Sequence, residues 1–146
     1  MRSKRQVNIL LIEDNSGDIW LTREAFKQSN KNTNLEVVTD GVEAYNYLKK
    51  KDPYQDKPLP DLILLDLNLP KWDGRDVLEK VKTDEDLKHI PIIILTTSNA
   101  KKDVINCYKL YANCFITKPV DYESFFLIIQ QIEGFWIDTV ILPTSI

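Results

Sequence analysis

The stretch Asp61-Leu62-Ile63-Leu64-Leu65-Asp66-Leu67-Asn68-Leu69-Pro70 decides the fold, because an aliphatic run within it ends on a carboxylate. Apolar side chains at consecutive positions, rather than at alternate ones, mark a strand covered on both faces, as in the middle of a parallel sheet. An ionised carboxylate at the edge of a dry core is costly unless something positive meets it. Asp66 therefore calls for a metal, a lysine or a covalent role. Leu69-Pro70 and the turn pair Asp73-Gly74 stop the strand and open a helix, which leaves Asp66 at the carboxyl end of the strand, where open α/β sheets bind ligands.

On the amino-terminal side, Val7 to Ile12 reads as a first buried strand ending in Glu13-Asp14. Asn15 and Ser16 cap a helix running to about Gln28. Leu35 to Val38 is a second strand, closed by Asp40-Gly41 before a helix with its apolar face at Val42, Ala44, Tyr45 and Leu48. Residues 52 to 60 carry three prolines and form a loop. Past the central strand, Val77, Leu78 and Val81 mark a third helix. Pro91 to Leu95 is a fourth strand ending in Thr96-Thr97-Ser98, and a helix over about Lys101 to Tyr111 puts Val104, Cys107, Tyr108 and Tyr111 on one side. Cys114 to Thr117 is a fifth strand ending in Lys118-Pro119. A last helix, about Tyr122 to Trp136, aligns Phe125, Ile128, Ile129, Ile132, Phe135 and Trp136. The alternation predicts a flavodoxin-like, doubly wound α/β fold with a five-stranded parallel sheet in the order 2-1-3-4-5 and helices on both faces.

A chain of 146 residues, 43% apolar and 28% charged, fits one domain with a solvated surface. We read a single domain over 1–146, with a lead-in at 1–6 and an apolar extension at 137–146. A net charge of −3 without a basic stripe argues against nucleic acid as a partner. One histidine and two cysteines give no zinc pattern, and Cys107 and Cys114 read as reduced, packed thiols. No apolar segment has membrane-spanning length, and Glu13-Asp14 interrupts the run that follows the basic start, so the expectation is a cytoplasmic protein.

In the predicted strand order, Glu13 and Asp14, Asp66, Thr96 and Lys118 all fall at the same end of different strands and converge on one crevice. Singly, each has an ordinary explanation: Asp14 a helix cap, Asp66 a turn residue, Thr96 a strand-end hydroxyl, Lys118 a solvated lysine. Together they form a site. Three carboxylates that close repel one another unless a cation sits among them, and an all-oxygen pocket with few ligands suits Mg²⁺. Asp66 is then placed as a nucleophile forming an acyl phosphate, with Thr96 and Lys118 offering a hydroxyl and an ammonium to the phosphoryl oxygens.

These residues resemble the receiver domains of two-component response regulators. The resemblance runs from about Val7 to Trp136, through Leu11-Ile12-Glu13-Asp14-Asn15, Asp40-Gly41, Leu64 to Pro70, Asp73-Gly74, Leu95-Thr96 and Thr117-Lys118-Pro119. It implies that Asp66 accepts a phosphoryl group from a sensor histidine kinase. It implies that Glu13, Asp14, Asp66 and the backbone carbonyl of Asn68 serve Mg²⁺, and that Thr96 and Phe115 form a conformational switch read by a protein partner. It further implies that Asn68 and Ser98 tune the lifetime of the phosphoryl group and that Lys118-Pro119 is often a cis bond. Apart from phosphotransfer and its own dephosphorylation, such a protein is not an enzyme. A narrower resemblance, carried by Leu64 to Leu78, Ile132 to Trp136 and Leu142-Pro143, is to small stand-alone regulators that partner bacterial phytochromes, have no output domain and form symmetric dimers.

Ile105, Phe126, Leu127, Val140, Ile141 and Leu142 fall outside the core stripes and predict an apolar homodimer interface over the fourth helix, fifth strand and fifth helix. Two other readings compete. A Mg²⁺-dependent aspartyl-phosphate phosphatase usually has an aspartate two residues after its nucleophile, where this chain has Asn68. A pseudo-receiver that only binds partners would have lost pocket residues, and none is missing.

Overall fold

The computed structural model describes residues 5–143, so the first four residues and the last three of the apolar tail lie outside it. Five strands, β1 (Val7–Ile12), β2 (Thr33–Val38), β3 (Leu62–Leu65), β4 (Ile92–Thr96) and β5 (Cys114–Thr117), form one sheet in the order β2-β1-β3-β4-β5. All four pairings are parallel. The helices between and after them are α1 (Ser16–Ser29), α2 (Gly41–Leu48), α3 (Gly74–Lys82), α4 (Lys101–Lys109) and α5 (Tyr122–Glu133).

Side-chain alternation divides the core. Leu10, Ile12, Ile63, Leu65, Ile92 and Ile94 pack under Ala44, Leu48, Val77, Leu78 and Cys107 of α2, α3 and α4. Ile9, Leu11, Leu62, Leu64, Ile93 and Leu95 pack under Phe26, Phe125, Ile129 and Ile132 of α1 and α5. Both faces of β1, β3 and β4 are thus covered, which explains their continuous apolar sequences. Asp61, buried just before β3, is satisfied by the Asn8 N–H at 2.7 Å and by Arg5 at 2.8 Å.

Local chemistry starts most helices. Asn15, Asp40 and Asp121 accept from backbone N–H groups in the first turn, and Asp73 forms a reciprocal capping box with Asp76. The two Asp-Gly pairs serve close approach rather than a left-handed turn, since no described glycine has a positive φ. A Cβ on Gly74 would sit 2.2 Å from the Asp66 carbonyl oxygen, and one on Gly41 would sit 2.0 Å from that of Trp72. Gly74 therefore lets α3 press against the chain immediately after β3, which fixes where Asp66 stands.

The structure corrects four expectations. Helix α4 ends at Lys109, and of its expected face only Cys107 is buried; Tyr108 and Tyr111 are exposed, Tyr111 lying past the helix with φ 71°. Leu110 and Ala112 turn inward in their place, because β5 is the edge strand and offers α4 only a narrow face. Helix α5 passes at Gly134 into a π-helical segment, Gly134–Thr139. The wider turn breaks the 3.6-residue stripe, so Phe135 is exposed and Ile137 is buried instead. Leu142, assigned to the dimer interface, is only 1% exposed, so it is buried within its own chain rather than offered to a second copy. Lys118-Pro119 is not cis; the cis bond among the described residues is Asp52-Pro53.

Both cysteines are free thiols, and burial pushes each up in pKa, which suits packing rather than reactivity. Glu133, the last residue of α5, is fully buried; its Oε2 accepts from the Ser29 hydroxyl and its Oε1 has no partner among the described residues. Burial raises its pKa above the ordinary value, with Ser29 and Lys31 pulling the other way. The folded state thus holds this proton more tightly than the unfolded chain. The stabilisation is present below the ordinary carboxylate pKa and is lost as pH rises through the folded value. Glu133→Met removes the charge, while the Ser29 hydroxyl keeps the Phe26 carbonyl at 2.9 Å. The expected result is a gain of about 1 kcal/mol at pH 7.5 that shrinks toward pH 4, measured by urea unfolding. A variant less stable than wild type at pH 7.5 would contradict this account.

Candidate functional site

Chain turns at the carboxyl ends of the strands bring the polar residues together. Glu13 and Asp14 follow β1, Asp66 follows β3, Thr96 ends β4 and Lys118 follows β5. Glu13, Asp66, Thr96 and Lys118 are buried, whereas Asp14 is exposed. The Lys118 backbone N–H donates to the Thr96 carbonyl at 2.6 Å and the Asp66 N–H to the Ile12 carbonyl at 3.0 Å, so neighbouring strands fix the site through their main chains.

Lys118 is the centre. Its Nζ donates to Glu13 Oε2 at 2.5 Å, Asp18 Oδ2 at 2.8 Å and Asp66 Oδ2 at 3.1 Å. Burial works against charge on this ammonium, but the hydrogen bonds to Asp18 and Glu13 outweigh it and the pKa rises. Burial also drives the Glu13 carboxyl up, to about 7, against the pull of Lys118. The remaining oxygens are held by the main chain: Glu13 Oε1 accepts from Asn15 N–H at 3.0 Å and Asp66 Oδ1 from Asn68 N–H at 3.2 Å. Asp18 was not anticipated from sequence. A carboxylate in the first turn of a helix reads the same whether it points to water or to a lysine.

Glu13, Asp14 and Asp66 each place one oxygen within 4.8 Å of the others. Octahedral Mg²⁺ with bonds of about 2.1 Å spans up to about 4.2 Å between opposite ligands, so small side-chain adjustments bring these donors onto one ion. Glu13, Asp18 and Asp66 bond one ammonium while Asp14 gathers with Glu13 and Asp66, and the excess negative charge makes a hard divalent cation the natural occupant. The Thr96 hydroxyl is fully buried and without a hydrogen-bond partner among the described residues, so it has a donor free for an incoming oxygen.

The remaining expected residues lie around this centre. Asn68 is exposed, with its amide 3.5 Å from the Thr97 hydroxyl. The Ser98 hydroxyl donates to Asp103 Oδ2 at 2.6 Å, and Asp103 is also gripped by Arg75 at 2.7 Å, which ties the β4–α4 loop to α3. Phe115, half-buried, packs against the α2–α4 side of the core, and its N–H donates to the Tyr108 hydroxyl at 3.2 Å.

Residues 9–130 match the family model described as the response regulator receiver domain. The chain belongs to that family. The receiver is 45% identical to response regulator Rcp1 of Synechocystis sp. over 137 residues, covering 94% of this chain and 93% of Rcp1. It is 35% identical to the probable methanogenesis regulatory protein FilR2 of Methanothrix harundinacea, covering 88% of this chain and 83% of that one. Among solved structures, the Mn²⁺-bound form of Rcp1 superposes with a TM-score of 0.91 at 45% identity, covering 94% of the receiver and 99% of that chain. The phosphorylated cyanobacterial phytochrome response regulator RcpA superposes with a TM-score of 0.93 at 45% identity, covering 95% and 99%. The receiver is thus similar to phytochrome-associated regulators, and the flavodoxin-like order of its strands is theirs. Among the described residues no helix is long and apolar enough to cross a membrane.

Proposed function

We propose that this receiver accepts a phosphoryl group on Asp66 from a sensor histidine kinase of the bacterial phytochrome type, and passes the signal to a protein partner in the cytoplasm by changing conformation. The observation that carries the reading is a buried strand-end carboxylate, Asp66, held by Lys118 beside an all-oxygen acidic cluster. An Asp66 oxygen attacks phosphorus. The bond from phosphorus to the kinase imidazole breaks, and its electron pair returns to the ring nitrogen. Mg²⁺, held by Glu13, Asp14, Asp66 and the Asn68 carbonyl, would neutralise charge on the transferred group. Lys118 and the Thr96 hydroxyl donate to the phosphoryl oxygens. Drawing Thr96 toward Asp66 shifts the loop after β4 and opens room for Phe115 to turn inward, a two-state change at the α4–β5 surface. Asn68 and Ser98, flanking the pocket, tune how long the phosphoryl group survives. The similarity to Rcp1 and RcpA supports both the chemistry and the partner class.

Transfer from a labelled phytochrome-type kinase tests the partner. Label is expected to move from kinase histidine to this chain within minutes in Mg²⁺. Label that stays on the kinase, while another small receiver discharges it, would contradict the assignment.

The second part of the proposal is a homodimer through α4, β5 and α5. Ile105, Leu127 and Ile141 are 42%, 57% and 73% exposed, and Phe126 and Val140 are half-buried beside them in sequence. Large apolar side chains at this density favour burial against a second copy. Light scattering at micromolar concentration is expected to give twice the chain mass, and Leu127→Asp with Ile141→Asp to give the monomer. A monomer mass for the wild type would remove this part.

A further inference from the structure

Lys118 carries three N–H donors, and in this state all three are taken, by Glu13, Asp18 and Asp66. None is free for a phosphoryl oxygen. Two of the acceptors are buried with the lysine: the side chains of Glu13 and Asp66 are 3% and 7% exposed, against 4% for Lys118. Those two hydrogen bonds already aim the ammonium at the reacting carboxylate. The Asp18 side chain differs, being 24% exposed, and its carboxylate is not among the three whose oxygens gather within 4.8 Å. It reaches the lysine from the first turn of α1, at a position open to water. When one N–H must be released, the bond to Asp18 is the least costly to give up, because water can replace the lysine there.

Asp18 also adds a negative charge where a phosphoryl donor, itself anionic, has to approach. Its role in the fold runs through its main chain rather than its carboxylate: its N–H caps on Asn15 at 2.9 Å and its carbonyl accepts from Thr22 at 2.7 Å.

We propose that Asp18 is a positioning residue that restrains phosphorylation, by holding one N–H of Lys118 away from the phosphoryl group and opposing entry of an anionic donor. This rests on Asp66 being the acceptor. In the unphosphorylated receiver the lysine is parked on three carboxylates; formation of the acyl phosphate draws it off Asp18 and onto the phosphoryl oxygens.

The test compares wild type, Asp18→Asn, Asp18→Ala and Asp18→Glu for phosphorylation by acetyl phosphate and by phosphoramidate in Mg²⁺, followed by intact mass. Asp18→Ala is expected to lower the apparent KM for acetyl phosphate about tenfold and Asp18→Asn by a smaller factor, with little change in the saturated rate. The gain should be larger for acetyl phosphate, a dianion, than for phosphoramidate, which carries less net charge. Asp18→Glu should restore wild-type behaviour. A role confined to folding would not divide KM from the saturated rate, nor one donor from the other. Unchanged or slower phosphorylation in both neutral variants, with wild type phosphorylated, would overturn the proposal and leave the functional reading intact. Wild type that takes up no phosphoryl group would overturn the functional reading, and this inference with it.

Discussion

Lys118→Met is expected to lower the unfolding free energy at pH 7.5 by about 3 to 5 kcal/mol in metal-free buffer and to slow phosphorylation by roughly a hundredfold. The size follows from what is left behind. Lys118 is 4% exposed and hydrogen-bonds Glu13 and Asp66, which are nearly as buried. Without it, Asp18 can turn to water, but the other two carboxylates stay in the core edge with no counter-charge. The pH dependence has a definite sign. Burial already holds Glu13 up at about 7 with the lysine present, so its ionisation costs the folded state stability as pH rises through that value. Removing the lysine raises it further, so the variant should recover much of its deficit at pH 5.5. Mg²⁺ should recover part at pH 7.5 by restoring positive charge among the carboxylates, through preferential binding to the folded state. Urea unfolding at the two pH values, with and without Mg²⁺, measures all three effects. A variant as stable as wild type in metal-free buffer would show that the buried ion pairs do not hold this corner of the sheet together.

The same residues explain what the sequence could and could not reveal. Leu62 to Leu65 identified the central strand because burial on both faces leaves no polar position to confuse the reading. β2 is an edge strand with mostly half-buried side chains, and its polar start at Thr33-Asn34 carried no signal, so it was expected two residues late. The stripe on α5 was legible to Ile132, then failed at Phe135. A switch from α- to π-helical spacing changes which residues face the core, and periodicity presumes the spacing it tries to detect. Leu142 failed for a related reason, since an apolar tail can cover its own chain or a second copy and composition does not distinguish them. In the site, Glu13, Asp66, Thr96 and Lys118 were legible because each lies at a strand end, and strand order alone brings strand ends together. Asp18 lies on a helix, where direction depends on the rotation of α1 against the sheet. The packing of Ile19, Ala25 and Phe26 sets that rotation.

Asp66→Asn is expected to abolish phosphorylation while sparing the fold, an effect limited only by detection. The amide keeps the shape of the side chain, its oxygen can still accept from Lys118, and the Ile12 carbonyl still takes the residue's N–H at 3.0 Å. What disappears is the ionised nucleophile: an amide oxygen forms no stable acyl phosphate, and of the remaining carboxylates Glu13 and Asp14 are placed to hold a cation and Asp18 is bound to Lys118. The direct test is intact mass of wild type and Asp66→Asn, side by side, after incubation with acetyl phosphate and Mg²⁺, with a chelated control and folding checked by circular dichroism. One added phosphoryl group is expected, in the wild type alone and only with the metal. Equal phosphorylation of the two proteins, or none in a folded, metal-supplied wild type, would contradict it.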